Sequence, residues 1–266
     1  MVTSFQSSPL DIGRVVSRTF AAFGGNFFTF FLLALLFGGL PSVGLQYVLA
    51  NFVAPAIYAN VGPGSAFQMQ YGLITIASGL ALLLPAYILI GAITKGALVY
   101  FNGGRAGFGE CLSTGTARLL PLVGLGLLST LGIGLGFIVF IVPGIMLATK
   151  WVAAAPAMVA ENAGVMDSFA RSSELVRDNR WRIFWVFVIW IVLSSIFQFV
   201  VGSVVGLSAG ALVTMGDGAT WVLSAFDAVV TALSNMVGAI GAAALYSELR
   251  TVKEGATSEQ LASVFE

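Results

Sequence analysis

Long apolar runs joined by short polar segments dominate this chain, and the first begins at Phe27 as FFTFFLLALLFGG. A membrane-spanning helix needs about 20 mostly apolar residues. By that measure the pattern predicts six spans, near 27–50, 71–100, 119–142, 144–160, 182–207 and 220–249. Pro41 and Pro85 fall inside the first two and should kink them, because proline lacks the N–H that the helix interior needs. Residues 51–70, with Pro55, Gly62, Pro63 and Gly64, read as a loop. The apolar run from Leu119 to Ala160 would be about 63 Å long as one helix, twice the roughly 30 Å of a bilayer core. It must reverse, and Pro143–Gly144 is the predicted place. The first run starts too late and extends too far for a secretory signal, so it reads as a retained span.

Three polar segments precede the odd-numbered spans and resemble one another: LDIGRVVSRTF, FGECLSTGTARLL and VMDSFARSSELVRDNRW. Each opens on an acidic residue, Asp11, Glu110 or Asp167, and gains arginine towards its end, as a helix dipole favours. In the third, Val165, Phe169, Ser172 and Val176 share one helical face. Asp167, Arg171, Glu174 and Asp178 share the other, with Asp167 and Arg171 spaced for an ion pair. These segments read as short amphipathic helices at a membrane interface. A threefold repeat of interfacial helix and two spans fits the pattern, and so do three unrelated polar loops. The fold class predicted is therefore all-α, a polytopic bundle with one domain over 1–250 and a loose polar tail over 251–266.

Charge adds orientation. Of the 12 Lys and Arg residues, all but Lys150 fall at span ends that share one side. The connections near 51–70, 142–144 and 208–220 carry none. This positive-inside asymmetry predicts a cytoplasmic location for both termini and for residues 102–118 and 163–181. Composition agrees: 9% of residues are charged, against roughly 25% in a soluble domain. The absence of histidine removes the commonest metal ligand and general base. A single cysteine, Cys111, rules out an intramolecular disulfide. No nucleotide-binding loop is present, because the Gly-rich stretch around Gly124 is apolar and has no following Lys-Ser or Lys-Thr.

The stretch from Phe140 to Trp181 carries a VPG turn at Val142–Pro143–Gly144, then Lys150–Trp151, Pro156, Glu161, Arg171–Ser172 and Asn179-x-Trp181. It resembles a bacterial membrane-protein family that includes YciC-like proteins and the membrane domain of glycerophosphoryl diester phosphodiesterase. The opening DIGRVVSRTFAAFGGNFFTFFLL is similar to that family's amino-terminal segment. The resemblance implies a six-helix protein of the bacterial inner membrane. The phosphodiesterase label of that family comes from fusion to a separate soluble barrel, so the resemblance implies no enzyme activity here.

Two constellations stand out. Lys150 and Asp227 are isolated ions within apolar spans, each at an estimated depth of about 9 Å from the outer surface. Intramembrane ions usually face the bundle interior and pair, so a polar pocket at Lys150 and Asp227 is one reading. A structural salt bridge, or a snorkelling lysine, is the other. Glu161 sits at the carboxyl end of the fourth span, where a carboxylate opposes the helix dipole and calls for a cation. Lys95, Arg105, Arg171 and Arg182 lie at the same level, as a structural clamp or as a site for an anionic lipid headgroup. Glycines at four-residue spacing, Gly132 and Gly136, then Gly202, Gly206 and Gly210, permit close helix approach. The function this supports is that of a non-enzymatic, cofactor-free protein of the cell envelope that binds lipid or another hydrophobic molecule in its bundle. Transport or lipid translocation is the alternative. The candidate partners are membrane lipids, a second copy of the chain or an envelope protein, and not nucleic acid.

Overall fold

A computed structural model describes the backbone of residues 10–212 and 217–262, and the side chains of 10–203 and 222–255. Among the described residues there is no strand, and six helical stretches are long and apolar enough to cross a membrane. The chain is a multi-pass membrane protein.

Three amphipathic helices each precede a pair of spans. The first is α1 (Ile12–Gly25), whose N-cap Asp11 accepts from the amides of Gly13 and Arg14 at 2.9 and 3.3 Å. That cap satisfies amides that a helix start leaves without partners. Span one follows as α2 (Phe27–Ala34), α3 (Leu40–Val48) and α4 (Ala54–Val61), joined through wide turns at Leu35–Gly39 and Leu49–Val53. Span two comprises α5 (Ser65–Ala81) and α6 (Leu83–Phe101). The second amphipathic helix, α7 (Phe108–Ala117), leads into α8 (Leu119–Val139), then α9 (Ile141–Trp151) and α10 (Ala154–Glu161). The third, α11 (Val165–Val176), leads into α12 (Arg180–Leu212) and α13 (Asp217–Ala262). The order of elements is thus the threefold one that the three polar segments suggested.

Several boundaries differ from the sequence reading. Residues 51–70 are helical except for a turn at 62–64, where Gly62 and Gly64 adopt φ values of +68° and +135°. The intervening Pro63 and these glycines make the only break, so the two spans reach 35 and 37 residues. The reversal between spans three and four lies at Phe140, which is extended (φ −162°, ψ 155°), and not at Pro143–Gly144. Pro143 instead sits in the first turn of α9, where its missing N–H leaves no bond unmade. The glycines serve the hairpin another way: a Cβ on Gly136 would come within 2.9 Å of Gly144, and one on Gly132 within 2.6 Å of Trp151. Gly202 meets nothing within 4 Å, and the side-chain surroundings of 206 and 210 lie outside the described residues. The last helix does not end near 250 but runs on to Ala262, so residues 251–262 are helix in place of a loose tail.

α13 is the central element. Half of its apolar window is buried, against 6% for the windows in span two and in α12, whose apolar side chains face outward. Phe30 and Leu33 of α2, Leu89 and Ile93 of α6, Cys111 of α7, and Met236 and Ile240 of α13 form one buried cluster. A second, at the arginine-rich end, joins Leu10, Val15, Leu175, Ile183, Tyr246 and Leu249. A third packs Leu122 and Leu125 of α8 on Met158 and Val159 of α10. Gly39 brings α13 close: a Cβ there would lie 2.4 Å from the Ala228 carbonyl oxygen. The amphipathic helices therefore lie against the bundle, with their inward faces part of its cores.

Candidate polar-end site

The arginine-rich end of the bundle is built from the end of α6, the end of α10, α11, the start of α12 and the last turns of α13. α10 stops at Glu161 because Asn162 turns left-handed (φ 54°), a cap conformation that asparagine tolerates better than most residues. That turn folds α11 back against α10. Arg171 Nε then donates to both carboxylate oxygens of Glu161, at 2.8 and 3.1 Å. The Tyr246 hydroxyl donates to Glu161 Oε1 at 2.7 Å. Arg171 also reaches Glu174 at 3.4 Å and makes a short contact with Glu254. Glu254 in turn accepts from Arg250 Nε at 2.6 Å. Hydrogen bonding to Glu161 and Glu254 holds the Arg171 guanidinium more firmly protonated than an ordinary arginine. One carboxylate at a helix end thus ties α10, α11 and α13 together.

Of the four cations placed near Glu161 by sequence, only Arg171 reaches it. Lys95 pairs with Glu110 of α7 at 3.4 Å. Arg182 donates to the Leu10 carbonyl at 3.0 Å, pinning the chain before α1. Arg105 is exposed and joins none of these contacts. The Asp167–Arg171 pair is not formed, because Glu161, Glu174 and Glu254 take the guanidinium. Arg118 instead binds the Asn162 side chain, linking α7 to the α10–α11 turn.

Lys150 and Asp227 do not meet: neither enters an ion pair within 4 Å among the described residues. Their depths differ. Tyr246 touches Glu161, which sets a common level for α10 and α13. Lys150 lies 11 residues before Glu161 and Asp227 lies 19 before Tyr246, so they stand about 16 and 28 Å from that level. The Lys150 carbonyl accepts from Ser172 Oγ of α11 at 2.8 Å, which fixes it towards the polar half. Asp227 is exposed on α13. A direct salt bridge between those two residues is therefore not formed.

Two features were missed in the sequence. Glu248 of α13 is 1% exposed, with Arg14 Nε 2.9 Å and Arg18 Nη1 3.6 Å from its carboxylate oxygens. Its Oε1 makes no hydrogen bond, so the Arg14 contact is ionic and poorly aligned. Arg18 also donates to Ser247 Oγ at 3.1 Å. The second is a cleft of about 530 Å³ between α6, α10 and α13. Leu98, Val99 and Val159 make its apolar part, and Lys95, Asn102, Ser247, Arg250, Thr251 and Glu254 its polar part. The one local signal for Glu248 is that it is a lone acid at the end of an apolar run; its arginines lie at the other end of the sequence.

Outside the spans, burial and the adjacent Glu110 push the Cys111 thiol up to about 11. Lys253, 2.9 Å from Asp178, holds that carboxyl below its ordinary value.

Residues 125–245 match the family model described as the membrane domain of glycerophosphoryl diester phosphodiesterase. This agrees with the resemblance carried by the stretch from Phe140 to Trp181. The match includes Glu161 and Arg171 and stops one residue short of Tyr246. No curated protein and no solved structure matches the chain.

Proposed function

We propose that this protein is a non-enzymatic component of the bacterial cytoplasmic membrane that binds a lipid by its headgroup at the arginine-rich, cytoplasm-facing end. The observation that carries this reading is the cleft between α6, α10 and α13. Its lining divides into apolar residues, Leu98, Val99 and Val159, and polar ones, two cations, Lys95 and Arg250, with Glu254, Asn102, Ser247 and Thr251. That division matches a molecule with an acyl part and an anionic head, and basic pockets between spans on the cytoplasmic side are suited to such headgroups. The arginine asymmetry supports the orientation. The lack of histidine supports a binding role over hydrolysis.

The test is native mass spectrometry of the detergent-purified protein with added phosphatidylglycerol and phosphatidylcholine. Retention of the anionic lipid, reduced in Arg250→Gln, supports the reading. Equal retention of both lipids, unaffected by Arg250→Gln, overturns it.

A further inference from the structure

The two cations of the cleft are already held by protein carboxylates. Arg250 Nε bonds Glu254 Oε2 at 2.6 Å, one turn along α13. Lys95 lies 3.4 Å from Glu110 Oε1. The two acids differ from the cations in what stands behind them. Glu254 uses its other oxygen on Arg171, which does not line the cleft. Glu110 also stands outside the cleft, and half of its side chain is open to solvent. Either carboxylate can lose its cleft cation without being stranded: Glu254 keeps Arg171, and Glu110 is hydrated. A carboxylate left buried and unpaired would make such an exchange expensive, and neither is. Among the described residues, Arg250 makes its one side-chain hydrogen bond through Nε. Its terminal N–H groups remain for a planar or tetrahedral anion, which guanidinium suits well.

We infer that Glu254 and Glu110 act as internal stand-ins for the ligand, holding Arg250 and Lys95 until a phosphate-bearing group displaces them. This rests on the cleft being the headgroup site. The exchange is one anion for another at each cation, so no covalent bond is made or broken. It sets the affinity of the site low enough for a ligand to leave. It also couples occupancy to α11, since Glu254, released by Arg250, turns wholly to Arg171.

The experiment measures binding of a fluorescent phosphatidylglycerol to the full chain in phosphatidylcholine nanodiscs. Inorganic phosphate serves as competitor, to separate a lipid headgroup from free phosphate. Glu254→Gln removes the stand-in charge at nearly constant shape and should tighten binding about 2- to 5-fold, the scale of a part-exposed ion pair. Glu110→Gln should tighten it on the same scale through Lys95, and carries the test if Glu254→Gln does not fold. Adding Arg171→Gln should weaken binding in the wild-type background and have no effect beside Glu254→Gln. Unchanged or weaker binding in both glutamine variants overturns the inference, and so does an equal effect of Arg171→Gln in the two backgrounds. Loss of binding in Arg250→Gln beside unchanged binding in the glutamine variants would sink the stand-in role and leave the headgroup reading intact. Wild-type binding in Arg250→Gln would remove both. Displacement of the probe by millimolar inorganic phosphate would assign the site to free phosphate, against the lipid.

Discussion

Arg171 grips Glu161 through Nε alone, 2.8 Å from Oε1 and 3.1 Å from Oε2, which frees its two terminal nitrogens for Glu174 and Glu254. One guanidinium therefore serves three carboxylates on three helices. Lysine offers a point charge without this planar fork. Arg171→Lys should leave the net charge intact yet lower the thermal midpoint in detergent almost as far as Glu161→Gln does. Charged hydrogen bonds of this kind are worth about 1.5–3 kcal/mol each. A midpoint for Arg171→Lys equal to wild type would show that charge alone suffices.

Glu248 should be the most sensitive acid in the chain. It is buried, and α1 reaches it with Arg14 and Arg18. Glu248→Ala leaves both arginines facing a small apolar gap. Both arginines are part-exposed and Arg14 keeps Asp11, so the loss is that of charge-assisted contacts to one buried acid, about 1–3 kcal/mol. The expected result is release of α1, read as faster proteolysis near Arg14 and Arg18 while the spans stay intact. Resistance equal to wild type would mean that Val15 and its apolar neighbours suffice to hold α1.

Lys150→Met and Asp227→Asn should act independently. The two stand about 12 Å apart in depth, and effects of separated, unlinked sites add within about 0.3–0.5 kcal/mol. A double-mutant cycle on folded yield and thermal midpoint checks this. Strong coupling would put the two side chains back in contact.

The Cys111 thiol should be silent to maleimide at neutral pH. It is fully buried, and its ionisation is pushed up to about 11. An acid raised on folding favours the folded state below its unfolded value, and that contribution fades as pH climbs towards 11. Ser65→Cys, exposed at the far end beside the 62–64 turn, should label from outside intact cells against this clean background. Labelling only after permeabilisation would reverse the proposed orientation. Residue 216, the other natural labelling position, lies outside the described residues.

The seam between Asp178 and Lys253 should weaken in acid. A carboxyl held below its ordinary value contributes stability above its unfolded value of about 4, lost as pH falls through the lower folded value. Asp178 is exposed, so the effect should be small and should shrink with salt. A thermal midpoint that rises with acid in this range would contradict it.

Six spans were legible because runs of twenty apolar residues have few other destinations. The amphipathic helices were legible from acid-first segments with one apolar face. Glu161 was legible because a carboxylate at a helix carboxyl end demands a cation, although sequence could not choose among four. Breaks were harder. Proline marks strain, yet Pro143 sits where a helix start absorbs it, and the chain turns three residues earlier at Phe140. Lys150 and Asp227 form no ion pair although their depths as read from sequence match, because depth was counted from expected span ends, and α13 begins at Asp217, before the expected 220. Arg14, Arg18 and Glu248 were hidden by more than 200 residues of intervening chain.

The wide turns at Leu35–Gly39 and Leu49–Val53 have a consequence for how span one keeps time. Each closes with an amide bonding five residues back, Leu40 to Leu35 and Ala54 to Leu49. Each thus holds one residue more than an α-helical turn and rotates all that follows by about 100°. The buried positions show the slip. Ala34 to Gly39 is five residues where a regular helix would use four, and Leu49 to Ile57 is eight where it would use seven. The inward stripe is continuous in space but out of phase in the sequence. Removing one residue from Leu35–Gly39 would straighten the local backbone and turn the rest of the span away from α13, so here the irregular count is what keeps the helix facing its partner.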